Sequence, residues 1–289
     1  MDDVTQPKGM HELLELGMGI KAVFCDLDGT FLDAHHLMPT CGPACIRALM
    51  GSGVAFIPTT GRTVYAMRKV LGSEIGGLDL DYVACNGMDV HVLGKDVLHS
   101  ECPRDVAWAL VERIADDPRP LGLVVFGAGE PYVFDLEADY TRAKIESLHH
   151  CPIRGLDEGL EEGPISKFGI VAHDGAQQLA ADLTSQFGEH LLFSAVGDEW
   201  VDVATKGHAK LEGIELVCRV HGWKADEVLA IGDSMNDWSM LSHFPHSACV
   251  SNAMPQIKEI CRYEVGSNLD FAVPRLFELM ADRRKAKRA

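Results

Sequence analysis

Two aspartates separated by one residue close an apolar run in Ala22-Val23-Phe24-Cys25-Asp26-Leu27-Asp28-Gly29-Thr30. Alternation along a strand puts Asp26 and Asp28 on the same side, where two carboxylates repel unless something positive compensates. A hard divalent cation does so, and Mg2+ takes a few carboxylates together with water and phosphate oxygens. A second acidic pair, in Gly232-Asp233-Ser234-Met235-Asn236-Asp237, directly follows the apolar run Val228-Leu229-Ala230-Ile231. Asp-Gly is also a common turn pair, so the first motif taken singly reads equally well as a turn. Two such pairs, each behind an apolar run, point to a metal site at an edge the two runs share.

The elements that must position these residues follow a βαβ rhythm. Residues 22–25 form a short run that is apolar on both faces, which suits a buried parallel strand. A helix is expected over 43–50 and a second strand over 54–57, ending at Thr59-Thr60-Gly61-Arg62. A helix over 63–71 and a strand over 82–85, ending at Asn86-Gly87, complete this half. Each strand finishes in polar or glycine-rich residues, and that carboxyl edge is where open α/β sheets place ligands.

The rhythm then changes. Residues 89–100 read as a hairpin around Gly94-Lys95, and 103–117 as a helix with Val106, Leu110 and Ile114 on one face. Strands are expected over 121–126, 132–136, 165–172, 191–194 and 200–203, with helices over 137–148 and 176–187. Such a mixture reads as an inserted α+β domain. From Lys206 the first rhythm returns, with a helix over 206–220, strands over 228–231 and 248–250, and helices opening at Pro255 and Pro274. The fold class is therefore α/β: a Rossmann-like core with a parallel sheet over 1–87 and 206–289, interrupted by an α+β insertion over 88–205.

Composition limits the function classes. The 289 residues are 47% hydrophobic and 24% charged, as in an ordinary globular protein. Charge is the unusual feature: 26 Lys and Arg stand against 43 Asp and Glu, a net −17. Five of those basic residues crowd into the tail Arg283-Arg284-Lys285-Ala286-Lys287-Arg288, leaving an acidic body that argues against backbone-tracking nucleic-acid binding. No run of about 18 apolar residues predicts a membrane span. Met1-Asp2-Asp3-Val4 does not open a secretory leader. The nine cysteines include no Cys-x-x-Cys pair, so they read as reduced thiols in a cytoplasmic protein.

Taken in order, Asp26-Leu27-Asp28-Gly29-Thr30, Thr60-Gly61-Arg62, Lys206-Gly207 and Gly232-Asp233-Ser234-Met235-Asn236-Asp237 resemble the motifs of the haloacid dehalogenase (HAD) superfamily. With an insertion between Gly87 and Lys206, the chain is similar to the Cof-type phosphatases with a class IIB cap, from Lys21 to about Leu279. The resemblance implies a hydrolase, a Mg2+-dependent phosphomonoesterase acting through an aspartyl-phosphate. Asp26 would be the nucleophile and Asp28 the general acid and base. Leu27, Thr60, Gly61, Lys206 and Asn236 would bind the phosphoryl group, Lys206 also restraining Asp26. Asp26, the Asp28 carbonyl, Asp233 and Asp237 would hold Mg2+, Asp237 directly or through water. The partner it implies is a small phosphorylated metabolite, a sugar phosphate above all, whether the chain is a monomer or a homodimer. A phosphomannomutase-like mutase, or a sensor that binds phosphate esters without turnover, are the alternatives.

Other features carry less. Thr59 is the rival of Thr60, and Arg62 reads as a structural residue. Asp33 reads as a loop or capping residue, His35-His36 and His149-His150 as exposed loop residues. His243, His246 and Cys249 lack the spacing of a zinc site. Arg104, Arg119, Arg142, Arg154 and Lys167 in the insertion read as solvated surface charges first and substrate contacts second.

Overall fold

A computed structural model of the chain describes residues 9–16, 19–127, 132–135, 154–155 and 165–288. Within them the backbone divides into two compact units: Met1–Gly61, Val70–Leu98 and Ala209–Ala289 make the first, Arg62–Lys69 and His99–His208 the second.

In the first unit β1 (Ala22–Cys25) lies next to β2 (Ala55–Pro58). Then β3 (Tyr82–Ala84), β4 (Asp89–Val92) and β5 (Lys95–His99) form a three-stranded sheet of their own. The second unit carries β6 (Gly122–Gly127), β7 (Tyr132–Asp135), β8 (Arg154–Gly155), β9 (Ile165–Val171), β10 (Leu191–Val196) and β11 (Trp200–Thr205) in one sheet of order β10-β11-β9-β6-β7-β8. Its helices Arg104–Ala115 and Ala176–Phe187 bury Leu110, Ile114, Leu179 and Leu183 with Leu123, Phe168 and Val203 in a single apolar core. The expected helix over 137–148, together with Arg142 and His149-His150, lies outside the described residues.

The chain returns to the first unit with β12 (Val228–Gly232), β13 (Ser247–Cys249) and β14 (Tyr263–Glu264). These complete a five-stranded sheet of order β14-β13-β12-β1-β2, parallel throughout. Every residue of β1 and β12 is buried, which is why these runs are apolar on both faces. From β1 the chain steps outward to β2, and only much later returns on the opposite side through β12. The strand order therefore reverses between β1 and β12, the crevice where such sheets bind ligands. On one face of the sheet Phe31, Phe56 and Phe277 pack with ring centroids 5.6–5.8 Å apart, at separations favourable to tilted aromatic pairs.

Two boundaries differ from expectation. The hairpin β4–β5 pairs with β3 and groups with the first unit, so the change of unit falls after Leu98 and not after Gly87. The helix expected from residue 206 begins at Lys210. Lys206 still donates its N–H to His190 in the β10–β11 ladder (2.7 Å), and Gly207 turns the chain at φ +94°, a conformation cheap only for glycine. The helix starts where Glu212 accepts the Ala209 N–H at 2.8 Å, the reciprocal half of a capping box.

Candidate active site

The parallel register places Cys25 beside Ile231, and Asp26 extends the ladder by donating its N–H to the Ile231 carbonyl at 2.9 Å. Asp26 and the loop after β12 thus leave neighbouring strands at the same level. One carboxylate oxygen each from Asp26, Asp233 and Asp237 lie within 4.8 Å of one another, Asp26 and Asp237 buried and Asp233 half-buried. Gly29 (φ +74°) makes the close approach possible: a Cβ there would stand 2.6 Å from Asp233 Oδ2. Thr30 donates its hydroxyl to Asp233 Oδ1 at 3.0 Å. Asp237 fixes its own loop, its Oδ2 accepting the N–H groups of Asp233 (3.0 Å) and Ser234 (3.1 Å).

The cation among these acids is Lys210, not Lys206. Lys210 is fully buried, and its Nζ donates to Asp26 Oδ1 and Asp237 Oδ1 at 2.6 Å each. Lys206 belongs to the second unit, where its Nζ donates to the Gly188 carbonyl at 2.8 Å. The reason is the four-residue shift in the start of the helix, about one turn, which puts Lys210 in the first turn and leaves Lys206 in the turn just after β11.

Electrostatics follow from this packing. Burial pushes the Asp26 carboxyl well above the usual range; Lys210 opposes that, and Asp237, Asp233 and Asp28 add to it. Burial and then Asp237 carry Asp233 up to about 6. Burial disfavours charge on Lys210, but Asp237 and Asp26 outweigh it and raise its pKa. Carboxylates crowded around one ammonium leave negative charge in excess. An all-oxygen donor set of this spacing fits a hard divalent cation, and that cation would relieve the repulsion.

The remaining expected residues are gathered in part. Thr60 is buried and donates its N–H to Val83 at 2.8 Å, while its carbonyl accepts the Asn86 N–H at 3.0 Å. Gly61 lies against Asn86, where a Cβ would come within 3.1 Å of Oδ1. Asn236 donates to the same Oδ1 at 3.3 Å, and Ser234 donates its hydroxyl to Asn236 at 2.7 Å. Asn86 therefore ties the Thr60-Gly61 loop to the loop of Asn236. Thr59, the rival of Thr60, uses its hydroxyl on the Ile57 carbonyl. Leu27 has a buried side chain and a carbonyl that accepts the N–H groups of Thr30, Phe31 and Leu32. Asp28 is more open, with Oδ1 2.8 Å from His36 Nδ1. Lys210 escaped the sequence reading, Thr30 and Asn86 had no role there beyond closing a motif and a strand, and His36 read as an exposed loop residue. The first and third carried a signal: Lys210 stands beside a capping glutamate, and Asn86 closes a core strand just as Asp26 and Thr60 do.

A family model described as haloacid dehalogenase-like hydrolase matches residues 23–276. The chain belongs to the haloacid dehalogenase-like hydrolases. Among curated relatives, 5-amino-6-(5-phospho-D-ribitylamino)uracil phosphatase YbjI of Escherichia coli (strain K12) is 26% identical over 255 residues, covering 87% of this chain and 92% of that protein. HMP-PP phosphatase of Citrobacter koseri is 27% identical over 238 residues, covering 80% and 84%. Among solved structures, a haloacid dehalogenase-like hydrolase from Bacteroides thetaiotaomicron superposes with a TM-score of 0.79 at 19% identity, covering 90% of this chain and 98% of that one. The HAD subclass IIB sugar phosphatase BT4131 superposes at 0.72 and 20% identity, covering 88% and 96%. The chain is thus a hydrolase whose fold, a parallel core sheet with additional antiparallel sheets, is that of this superfamily.

Proposed function

We propose that this hydrolase is a Mg2+-dependent phosphomonoesterase acting on small phosphorylated metabolites. The observation that carries the reading is Lys210 buried between Asp26 and Asp237, with Asp233 across the β1–β12 crevice. Relatives named as phosphatases of a phosphoribityl-aminouracil and of HMP-PP support the substrate class. Asp26, Asp233 and the Asp28 carbonyl would hold Mg2+, with Asp237 beside them, and the ion would offset charge on the phosphoryl oxygens.

Asp26 attacks phosphorus through one carboxylate oxygen, and the bond from phosphorus to the ester oxygen breaks. The departing alkoxide takes the proton of the Asp28 carboxyl. A water molecule then attacks the aspartyl-phosphate, giving its proton back to Asp28, and phosphate leaves as the bond to Asp26 breaks. Lys210 holds Asp26 in place and supplies positive charge to the phosphoryl group, the part that the motif resemblance gives to Lys206. Thr60, Gly61 and Asn236, joined through Asn86, with the Leu27 backbone, complete the oxygen contacts. Such positioning is most of what phosphoryl transfer requires.

A mutase needs a second phosphate held by cations of the second unit. Arg119 instead forks Asp117 at 2.7 and 2.8 Å, and Lys167 pairs with Asp202 at 2.7 Å, which favours hydrolysis. Purified protein with Mg2+ is expected to release phosphate from 4-nitrophenyl phosphate. Chelation should stop the release, and Asp26→Asn should nearly abolish it. Undiminished turnover by that variant overturns the nucleophile assignment. A panel of phosphorylated metabolites then ranks substrates by kcat/KM.

A further inference from the structure

Beyond the four motifs, the loop that leaves β1 is built around one side chain. Phe31 and Leu32 anchor it, both fully buried, and Asn268 Nδ2 holds the Leu32 carbonyl at 3.0 Å. From there Asp33 organises a tight reversal. Its Oδ1 accepts the N–H groups of His35 (2.8 Å) and Leu37 (2.9 Å), its N–H donates to the Leu37 carbonyl (3.0 Å), and its own carbonyl accepts the His36 N–H (3.0 Å). At the apex His36 sits at φ +58°, a region uncommon for residues with a Cβ. That conformation puts the His36 ring 2.8 Å from Asp28 Oδ1. Histidine is one of the residues that enter this region more readily, so the turn tolerates it, and the contact of its ring with Asp28 is what gives it a role.

We propose that His36 is a positioning residue for the Asp28 carboxyl. The inference rests on the phosphatase reading above and deepens it. With the proton on Nδ1, His36 donates to Oδ1 whether Asp28 is ionised or protonated on Oδ2. Oδ1 is thereby engaged by the ring and the carboxyl rotamer is held, so that in this proposal Oδ2 carries the proton out in the first step and back in the second. Holding one rotamer of an open carboxylate is what a half-exposed general acid needs, since proton transfer depends on geometry before acidity. Asp33 acts one step further back, by holding the turn that aims His36.

The test separates leaving groups. An alkyl oxide must be protonated as it leaves, whereas 4-nitrophenolate leaves without help, and kcat/KM reports the first step alone. His36→Gly keeps the left-handed turn and deletes the ring. It is expected to lower kcat/KM for glycerol 2-phosphate about tenfold or more, and that for 4-nitrophenyl phosphate less than about twofold. Asp33→Ala, which keeps the ring and loosens the turn, should show the same selective loss to a smaller degree. Equal losses on both substrates, or wild-type values in His36→Gly, overturn the positioning role while leaving the phosphatase reading intact. Absence of phosphate release from either substrate by the wild-type protein overturns both.

Discussion

Lys210 shares a fully buried volume with two carboxylates, each 2.6 Å from its ammonium. Removing one partner from such a cluster leaves charge buried without compensation, at a cost of about 3–5 kcal/mol. Lys210→Ala is therefore expected to lose stability of that order in urea unfolding. It should also lose phosphatase activity by a factor on the order of a hundred or more, with circular dichroism confirming the fold where activity is measured. Lys206→Ala, which removes a surface hydrogen bond to Gly188, should change neither by more than about 0.5 kcal/mol or its kinetic equivalent. The reverse ranking would return the cation role to Lys206. The acids were legible because each pair directly follows an unmistakable apolar strand. The cation was not, because Lys206-Gly207 offers a plausible pattern and the helix start depends on Gly207 turning the chain and Glu212 capping it. His36 was less legible still: nothing in its spacing records that the turn at Asp33 sends the ring back toward Asp28.

Strand ends, more than individual residues, explain why the site forms. β1 and β12 are parallel neighbours, so a carboxylate placed just beyond each run meets the other with no further design. This was readable from periodicity, as were the helices Arg104–Ala115 and Ala176–Phe187. The placement of β4–β5 was not, because a hairpin following β3 has the same local pattern whether it pairs with β3 or starts a new unit. What holds it to β3 is tertiary. His91 stacks on Tyr82 at 5.1 Å and lies between Asp96 (2.6 Å from Nδ1) and Asp79 (3.0 Å from Nε2). Burial disfavours its charge, but the hydrogen bonds it donates to Asp96 and Asp79, with their charges, raise its pKa. A histidine whose folded pKa is raised contributes stability fully present below the unfolded value, about 6.5, and lost as pH rises through the folded one. The first unit should accordingly lose stability as pH rises above about 6.5. His91→Gln should be less stable at low pH and flatten that slope, checked by urea midpoints across the pH range. An unchanged slope would show that His91 is not charged in the fold.

At the scale of the whole molecule, a net charge of −17 looks hostile to a phosphate ester. Yet Asp26, Asp233 and Asp237 gather where a divalent cation and Lys210 together would offset their charge. The acidity that argues against nucleic acid would, at this edge, serve to hold a metal. Metal linkage also gives a way to separate the two units. The first has the Phe31, Phe56 and Phe277 cluster in its core, and the second buries Phe168 among Leu123, Ile170 and Val203. Mg2+ binding only to the folded first unit stabilises it by about 2.7 kcal/mol at a hundred times Kd. Phe168→Ala should cost the second unit about 3–5 kcal/mol and lower its thermal transition. The proposed metal ligands all belong to the first unit, so Mg2+ affinity measured by titration calorimetry should stay at the wild-type value, and the Mg2+-induced shift of the first unit's transition should persist. Asp233→Asn should do the opposite, abolishing the Mg2+ shift while leaving the second unit's transition unmoved. Loss of Mg2+ binding in Phe168→Ala would show that the metal site depends on the second unit's core, and the division of labour drawn from the two cores would fail.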